Sequence, residues 1–164
     1  MGTPSGLPEK LSNDDAQIFP NLTDYEIVSP RDAKYNCIAF AAGDDSRKWD
    51  PNALLKPGYY WPPEALRDQD NDDIAALKRA FEAIGYSECD NGKLEAGFQK
   101  IAPYAVNEES WQHAEFQDVN GEWMSKLGDE YDIRHKSPHC FEGSIYGKVM
   151  CFMKRKIDGE SRQV

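Results

Sequence analysis

The apolar positions of this chain change period once. Before about residue 97 they recur at helical spacing; after it they alternate as strands do. Ile74, Leu77, Phe81 and Ile84 form one helical stripe, which Asp72 or Asp73 caps and Gly85 ends. A shorter helix is expected to open at Cys37 and run through Ile38-Ala39-Phe40-Ala41-Ala42, because alanine favours helix, Asn36 is a good N-cap and Gly43 a good stop. Its faces are almost wholly apolar, so it belongs inside the domain. Strands are expected over Phe98 to Val106, His113 to Val119, Glu122 to Leu127 and Tyr146 to Ile157. Pro103 makes the first of these an edge or interrupted strand. Asn120-Gly121 is a strong hairpin signal between the second and third. Glu26-Ile27-Val28 reads as a short extended piece stopped by Ser29-Pro30, and His135 and His139 fall in a polar segment near Pro138 that reads as irregular. Helices first and an antiparallel sheet of about four or five strands last is the α+β pattern.

The chain has 164 residues, the size of one ordinary domain. Residues 1–17 are rich in Pro, Gly, Ser and Asp and read as a flexible leader; residues 18–158 read as the single domain and 159–164 as a tail. Between the two helices, Asp44 to Pro63 reads as a loop carrying Trp49, Tyr59, Tyr60 and Trp61. Such a loop either caps a core or walls a cleft, here over Cys37. The acidic run Asp68 to Asp73 lacks calcium-loop spacing and glycine, so it reads as a solvated turn and helix cap.

A net charge of −10 argues against a nucleic-acid partner, which needs a basic face. Lys154-Arg155-Lys156 reads as a soluble strand end. No run of about 18 apolar residues is present to span a membrane, and Met1 to Asn13 has no apolar core of a signal peptide, so a cytoplasmic protein is expected. Gly2 does not start a myristoylation motif, because Gly6 stands where Ser or Thr is needed. Cys37, Cys89, Cys140 and Cys151 show no CxxC pair, and the three histidines complete no zinc pattern. Free thiols, no metal and no cofactor are the expectation.

The chemistry left is that of Cys37 and His113. A cysteine attacks as thiolate, and the first turn of a helix lowers its pKa. A nearby imidazole takes the thiol proton and returns it to a leaving group. Cys37 opens a helix and His113 opens a clear strand. A cysteine in an Ala-rich helix is more often core, and a lone histidine more often structural; the joint placement points to a Cys–His pair.

Tyr35-Asn36-Cys37 and the stretch from His113 across Asn120-Gly121 to Ser125 resemble the NlpC/P60 and wider papain-like cysteine peptidases. The resemblance implies a papain-like (NlpC/P60-like) fold, with the Cys-bearing buried helix packed on an antiparallel sheet. It implies Cys37 as nucleophile, His113 as base, and Ser125 as the residue that orients the base, with Gln117 and Asp132 as rivals for that role. Tyr35 and the Cys37 amide would lie near the oxyanion. Asn36 stands where that family has Asp, and Ile38 where it has Ser. Tyr35, Asn36 and Trp61 are the candidate substrate-contacting residues. The expected function is a cysteine-dependent hydrolase or acyl transferase on a peptide or other amide or acyl bond. The alternative is an inactive binding, adaptor or immunity module that recognises another protein.

A second resemblance covers most of the chain. The stretch Tyr35 to Gly43, Tyr60-Trp61-Pro62, Gly85-Tyr86, Lys100-Ile101-Ala102, the His113 strand, Ser125-Lys126-Leu127-Gly128 and Tyr146-Gly147 look like a family of small bacterial proteins that brings no activity to carry over.

Overall fold

The structure is a computed structural model that describes residues 7–53, 56–66, 73–127 and 131–157. Gly2, Gly6, the acidic residues Asp68 to Asp72, Gly128 and the tail 159–164 lie outside the described residues. The elements in chain order are α1 (Asn13–Ile18), β1 (Tyr25–Ser29), α2 (Cys37–Ala42), β2 (Lys48–Trp49), β3 (Tyr59–Tyr60), a 3-10 turn (Pro63–Ala65), α3 (Ile74–Glu82), β4 (Ser87–Cys89), β5 (Phe98–Val106), β6 (Ser110–Gln117), β7 (Trp123–Lys126), β8 (Asp132–His135), β9 (Lys148–Val149) and β10 (Phe152–Lys156).

Eight of the strands form one sheet in the order β1-β8-β7-β6-β5-β10-β4, with β9 also paired to β5. Every pairing within it is antiparallel. This overturns the papain-like α+β expectation. The molecule is mostly antiparallel sheet with a few short helices, and the sheet is larger than the four or five strands expected. The Cys37 helix stops after six residues, where Gly43 turns left-handed at φ 89°.

The local signals explain the rest. Asp73 caps α3 by accepting from the Ala76 amide, and Leu77 and Phe81 bury its stripe. Asp118 Oδ1 accepts from the amides of Asn120 and Glu122 and closes the hairpin, with Gly121 at φ 86°. Pro103 sits inside β5, between β6 on one side and β9 and β10 on the other. Its carbonyl accepts from the Met150 amide, so its missing N–H lies on the side where the chain passes from β9 to β10. The long final strand expected from Tyr146 to Ile157 is therefore split in two. His135 lies in a strand after all, at the end of β8, and Glu26 to Val28 belong to the edge strand β1. The stretch read as a leader, residues 1–17, holds the buried Leu11 and all of the helix Asn13–Ile18 but its last residue.

The sheet separates two apolar cores. One holds α2, α3, Trp49 and Trp61 against Ile101, Ala114, Phe116 and Met124. The other holds Leu11, Phe19, Leu22, Tyr104, Ile133 and Phe141 on the opposite face, with Tyr146 packed against it. Among the described residues no helix is long and apolar enough to cross a membrane.

Candidate functional site

The site forms where β7 leaves β6. Those strands pair only at Phe116↔Met124 and Gln117↔Trp123, after which Ser125 and Lys126 pair with Ile133 and Asp132 of β8. Facing β5, Ala114 stands opposite Pro103, whose backbone polar atoms point away toward Met150. The Ala114 backbone therefore points into the fork that β7 has vacated. The first turn of α2 fills it. Cys37 Sγ lies 3.9 Å from the Gln112 carbonyl, and the Ala114 amide points at the sulfur.

Asn36 aims this helix end. Its Oδ1 accepts from the Ala39 and Trp49 amides at 3.0 and 3.2 Å, and its Nδ2 donates to the Trp49 carbonyl at 2.8 Å. Asn36 is thus a cap and a clamp on β2. The amides of Cys37 and Ile38 also favour a negative sulfur, as does the charge of Lys126. Burial outweighs them all. The half-buried thiol is pushed up to about 11, where a helix terminus alone would have lowered it. The resting sulfur is a thiol. All four cysteines are free.

His113 lies between Gln112 and Ala114, with its ring on the other face of the sheet. It stacks on Tyr146 at 4.4 Å between ring centres and meets Tyr104 edge-on at 5.3 Å. Burial raises the Tyr146 hydroxyl, and Cys37 lies near enough to add to that rise if it ionises. The His113 Nε2 lies 3.1 Å from Ser125 Oγ, while Nδ1 is buried without a hydrogen-bond partner. No hydrogen bond joins the ring to Cys37. With 0% exposure, the imidazole is pushed down to about 3 by burial and then by His135.

Ser125 is the centre of a wider network. Its Oγ lies 2.8 Å from His135 Nε2 and 3.2 Å from Glu115 Oε1. Both of these residues are also fully buried. His135 is pushed down to about 4 by burial, and the carboxyl of Glu115 well up for the same reason. Burial thus favours the uncharged form of all three groups that share this hydroxyl. Sequence reasoning missed Glu115 and His135. Glu115 carries a signal, since residues two apart on a strand share a face with His113; His135 acquires a role only once β8 pairs with β7.

The other sequence candidates lie elsewhere. Gln117 donates to the Gly92 carbonyl at 2.7 Å. Asp132 accepts from Tyr35 at 2.6 Å and from Ser29, and faces Lys126 at 3.7 Å. Neither of these two rivals meets His113. The Tyr35 hydroxyl is thus committed to Asp132, and Lys126 lies over its ring. Trp61 is 3% exposed and stacks on Trp111, so it is core of the α2 side and not a cleft wall. Among the described residues no group of three or more His, Cys, Asp and Glu side chains is arranged to hold a metal ion.

Residues 26–154 match a family model described as Domain of unknown function (DUF7689), and the chain belongs to that family. No curated protein and no solved structure matches the chain. The family brings no activity with it, and nothing in these comparisons leads to the NlpC/P60 peptidases.

Proposed function

We propose that this protein is a cysteine-dependent hydrolase or acyl transferase that acts on an amide or related acyl bond, with a peptide or a side-chain amide as the class of substrate. The observation that carries this reading is the His113 ring, whose Nε2 is held by Ser125 while its buried Nδ1 is left without a partner. A buried, unpaired ring nitrogen costs free energy, and sites of chemistry are where proteins retain such groups. In β6 His113 is flanked by Gln112 and Ala114, the two residues whose backbone groups hold the Cys37 sulfur.

In the proposed reaction Nδ1 takes the thiol proton as sulfur bonds to the carbonyl carbon. The tetrahedral oxyanion meets backbone amides at the start of α2. It collapses as Nδ1–H protonates the leaving amine or alcohol, which departs and leaves a thioester on Cys37. Water, or an acceptor amine, then gives its proton to Nδ1 and releases the acyl group, restoring the thiol. Because the thiol is pushed up to about 11 and the imidazole down to about 3, the proton moves during attack and no resting thiolate–imidazolium pair forms. Four free thiols suit a reducing compartment such as the cytoplasm.

The same raised thiol favours a second reading, a non-catalytic adaptor or immunity-type module whose charge of −10 suits a basic protein partner. Acyl transfer from p-nitrophenyl acetate separates the two. The expected result is a stoichiometric burst of nitrophenolate with the acetyl group on Cys37. Cys37→Ala and His113→Ala should lose the burst and Cys140→Ser should keep it. A burst that survives in Cys37→Ala or His113→Ala contradicts the catalytic reading.

A further inference from the structure

The hydrogen bonds around Ser125 fix a direction that the distances alone do not state. His135 Nδ1 lies 2.8 Å from the Ser137 carbonyl, and a carbonyl only accepts, so Nδ1 carries the proton of this ring. The buried Cys140 sulfur, 3.0 Å from the same nitrogen, is then a second acceptor. In a neutral imidazole, Nε2 must hold the lone pair. That lone pair faces Ser125 Oγ at 2.8 Å, so the hydroxyl proton is committed to His135.

A serine hydroxyl has one proton and two lone pairs. With the proton used, the oxygen accepts from its other two neighbours. His113 Nε2, at 3.1 Å, therefore donates and carries the proton of its ring. Glu115 Oε1, at 3.2 Å, donates as a carboxyl. This fits its full burial, which outweighs the hydrogen bonds from Ser125 and Tyr104 that favour an ionised carboxylate. The opposite arrangement, with Ser125 donating to an ionised Glu115, sets two lone pairs against each other at 2.8 Å unless His135 is an imidazolium in a fully buried site. Only one pattern uses each atom of the hydroxyl once and leaves every ring neutral. In it, His113 presents a lone pair at Nδ1.

We propose that His135 is a positioning residue for the Cys37 reaction: acting through the Ser125 hydroxyl, with Glu115 as the second donor, it sets the tautomer of His113 so that Nδ1 is free to act as base. This rests on the reading of Cys37 and His113 as nucleophile and base. Its structural half, the tautomer chain, can be observed without any activity.

The test is nitrogen NMR of the imidazole side chains in the full-length, 15N-labelled protein. Wild type should show His113 with a pyridine-like Nδ1 and a protonated Nε2, and His135 with the reverse. His135→Gln can set its carbonyl oxygen near the position of Nε2, and should keep the His113 tautomer and an acylation rate near that of wild type. His135→Leu removes the acceptor; His113 should then populate both tautomers and acylation should fall by at least about tenfold, part of the 10²–10⁴ that a positioned base contributes. A protonated Nδ1 on His113 in wild type overturns the proposal, as does a tautomer unmoved in His135→Leu. If the leucine variant fails to fold, the wild-type spectrum decides. The expected tautomers together with a burst that survives in Cys37→Ala would defeat the catalytic reading and leave the proton order standing.

Discussion

Replacing Ser125 by alanine is expected to lower the stability of the protein by about 3–5 kcal/mol and to abolish acylation of Cys37. The side chain is 0% exposed and its one oxygen is shared by His113, Glu115 and His135. Without it, three buried polar atoms lose a partner together. Each such orphan costs about 1–3 kcal/mol, and partial re-pairing keeps the total below the simple sum. Glu115→Gln is the informative companion. The carboxyl is held neutral by burial, so an amide that donates to the same oxygen should change stability by less than about 1 kcal/mol. Urea unfolding of both variants checks the pair. A mild Ser125→Ala together with a severe Glu115→Gln would mean that Glu115 is ionised and that the network is wired the other way.

The second large effect is acid lability. His113 and His135 have folded pKa values of about 3 and about 4, below the 6.5 of an ordinary histidine. The unfolded chain therefore binds protons that the folded chain refuses, and stability falls as pH drops below about 6.5. Each imidazole costs about 1.4 kcal/mol per pH unit. Glu115 acts in the opposite sense. Its folded value is raised, so acidification toward about 4.5 protonates the unfolded carboxyl and removes a penalty. It offsets at most one of the two imidazoles over that range. The net loss should be about 3 to 5 kcal/mol between pH 6.5 and 4.5. Below that the offset ends, and the slope steepens until His135 begins to titrate near 4. Urea midpoints at a series of pH values read this directly. His135→Gln, with one imidazole fewer, should flatten the curve. Stability that is level or rising from pH 7 to pH 5 would show that at least one of the rings is solvated or charged.

The sequence made the supports of the site easier to read than its wiring. Caps and turns are local chemistry: Asn36, Gly43 and Asn120-Gly121 each act within a few residues and appear in the structure as read, and of the two cap candidates Asp72 and Asp73 it is Asp73 that caps α3. β8 was hidden because its alternation carries Asp132 and Arg134 on one face and Ile133 with His135 on the other, with Pro138 close behind. A polar strand buried on both faces does not look like a strand until its neighbours exist. The fold class failed for a related reason. Short strands such as Ser87–Cys89 and Lys148–Val149 carry too few residues to show a period, so the sequence displays fewer strands than the sheet holds and its helices stand out. The acidity of Cys37 failed on magnitude. A helix terminus was visible in the sequence, but the desolvation that outweighs it depends on β6, far away along the chain.

The central claim is that His113 takes the Cys37 proton as the sulfur attacks. Its most direct test is the pH dependence of the acylation rate of Cys37, followed by mass spectrometry after mixing with p-nitrophenyl acetate between about pH 6 and 9. With a thiol near 11 and an imidazole near 3, the neutral pair persists across this range. Wild type should react at a nearly constant rate, and His113→Ala should start far lower and climb about tenfold per pH unit as free thiolate appears. A wild-type rate that climbs at the same slope as that of His113→Ala and matches its magnitude would contradict the claim and leave Cys37 as a buried thiol that reacts only when it ionises.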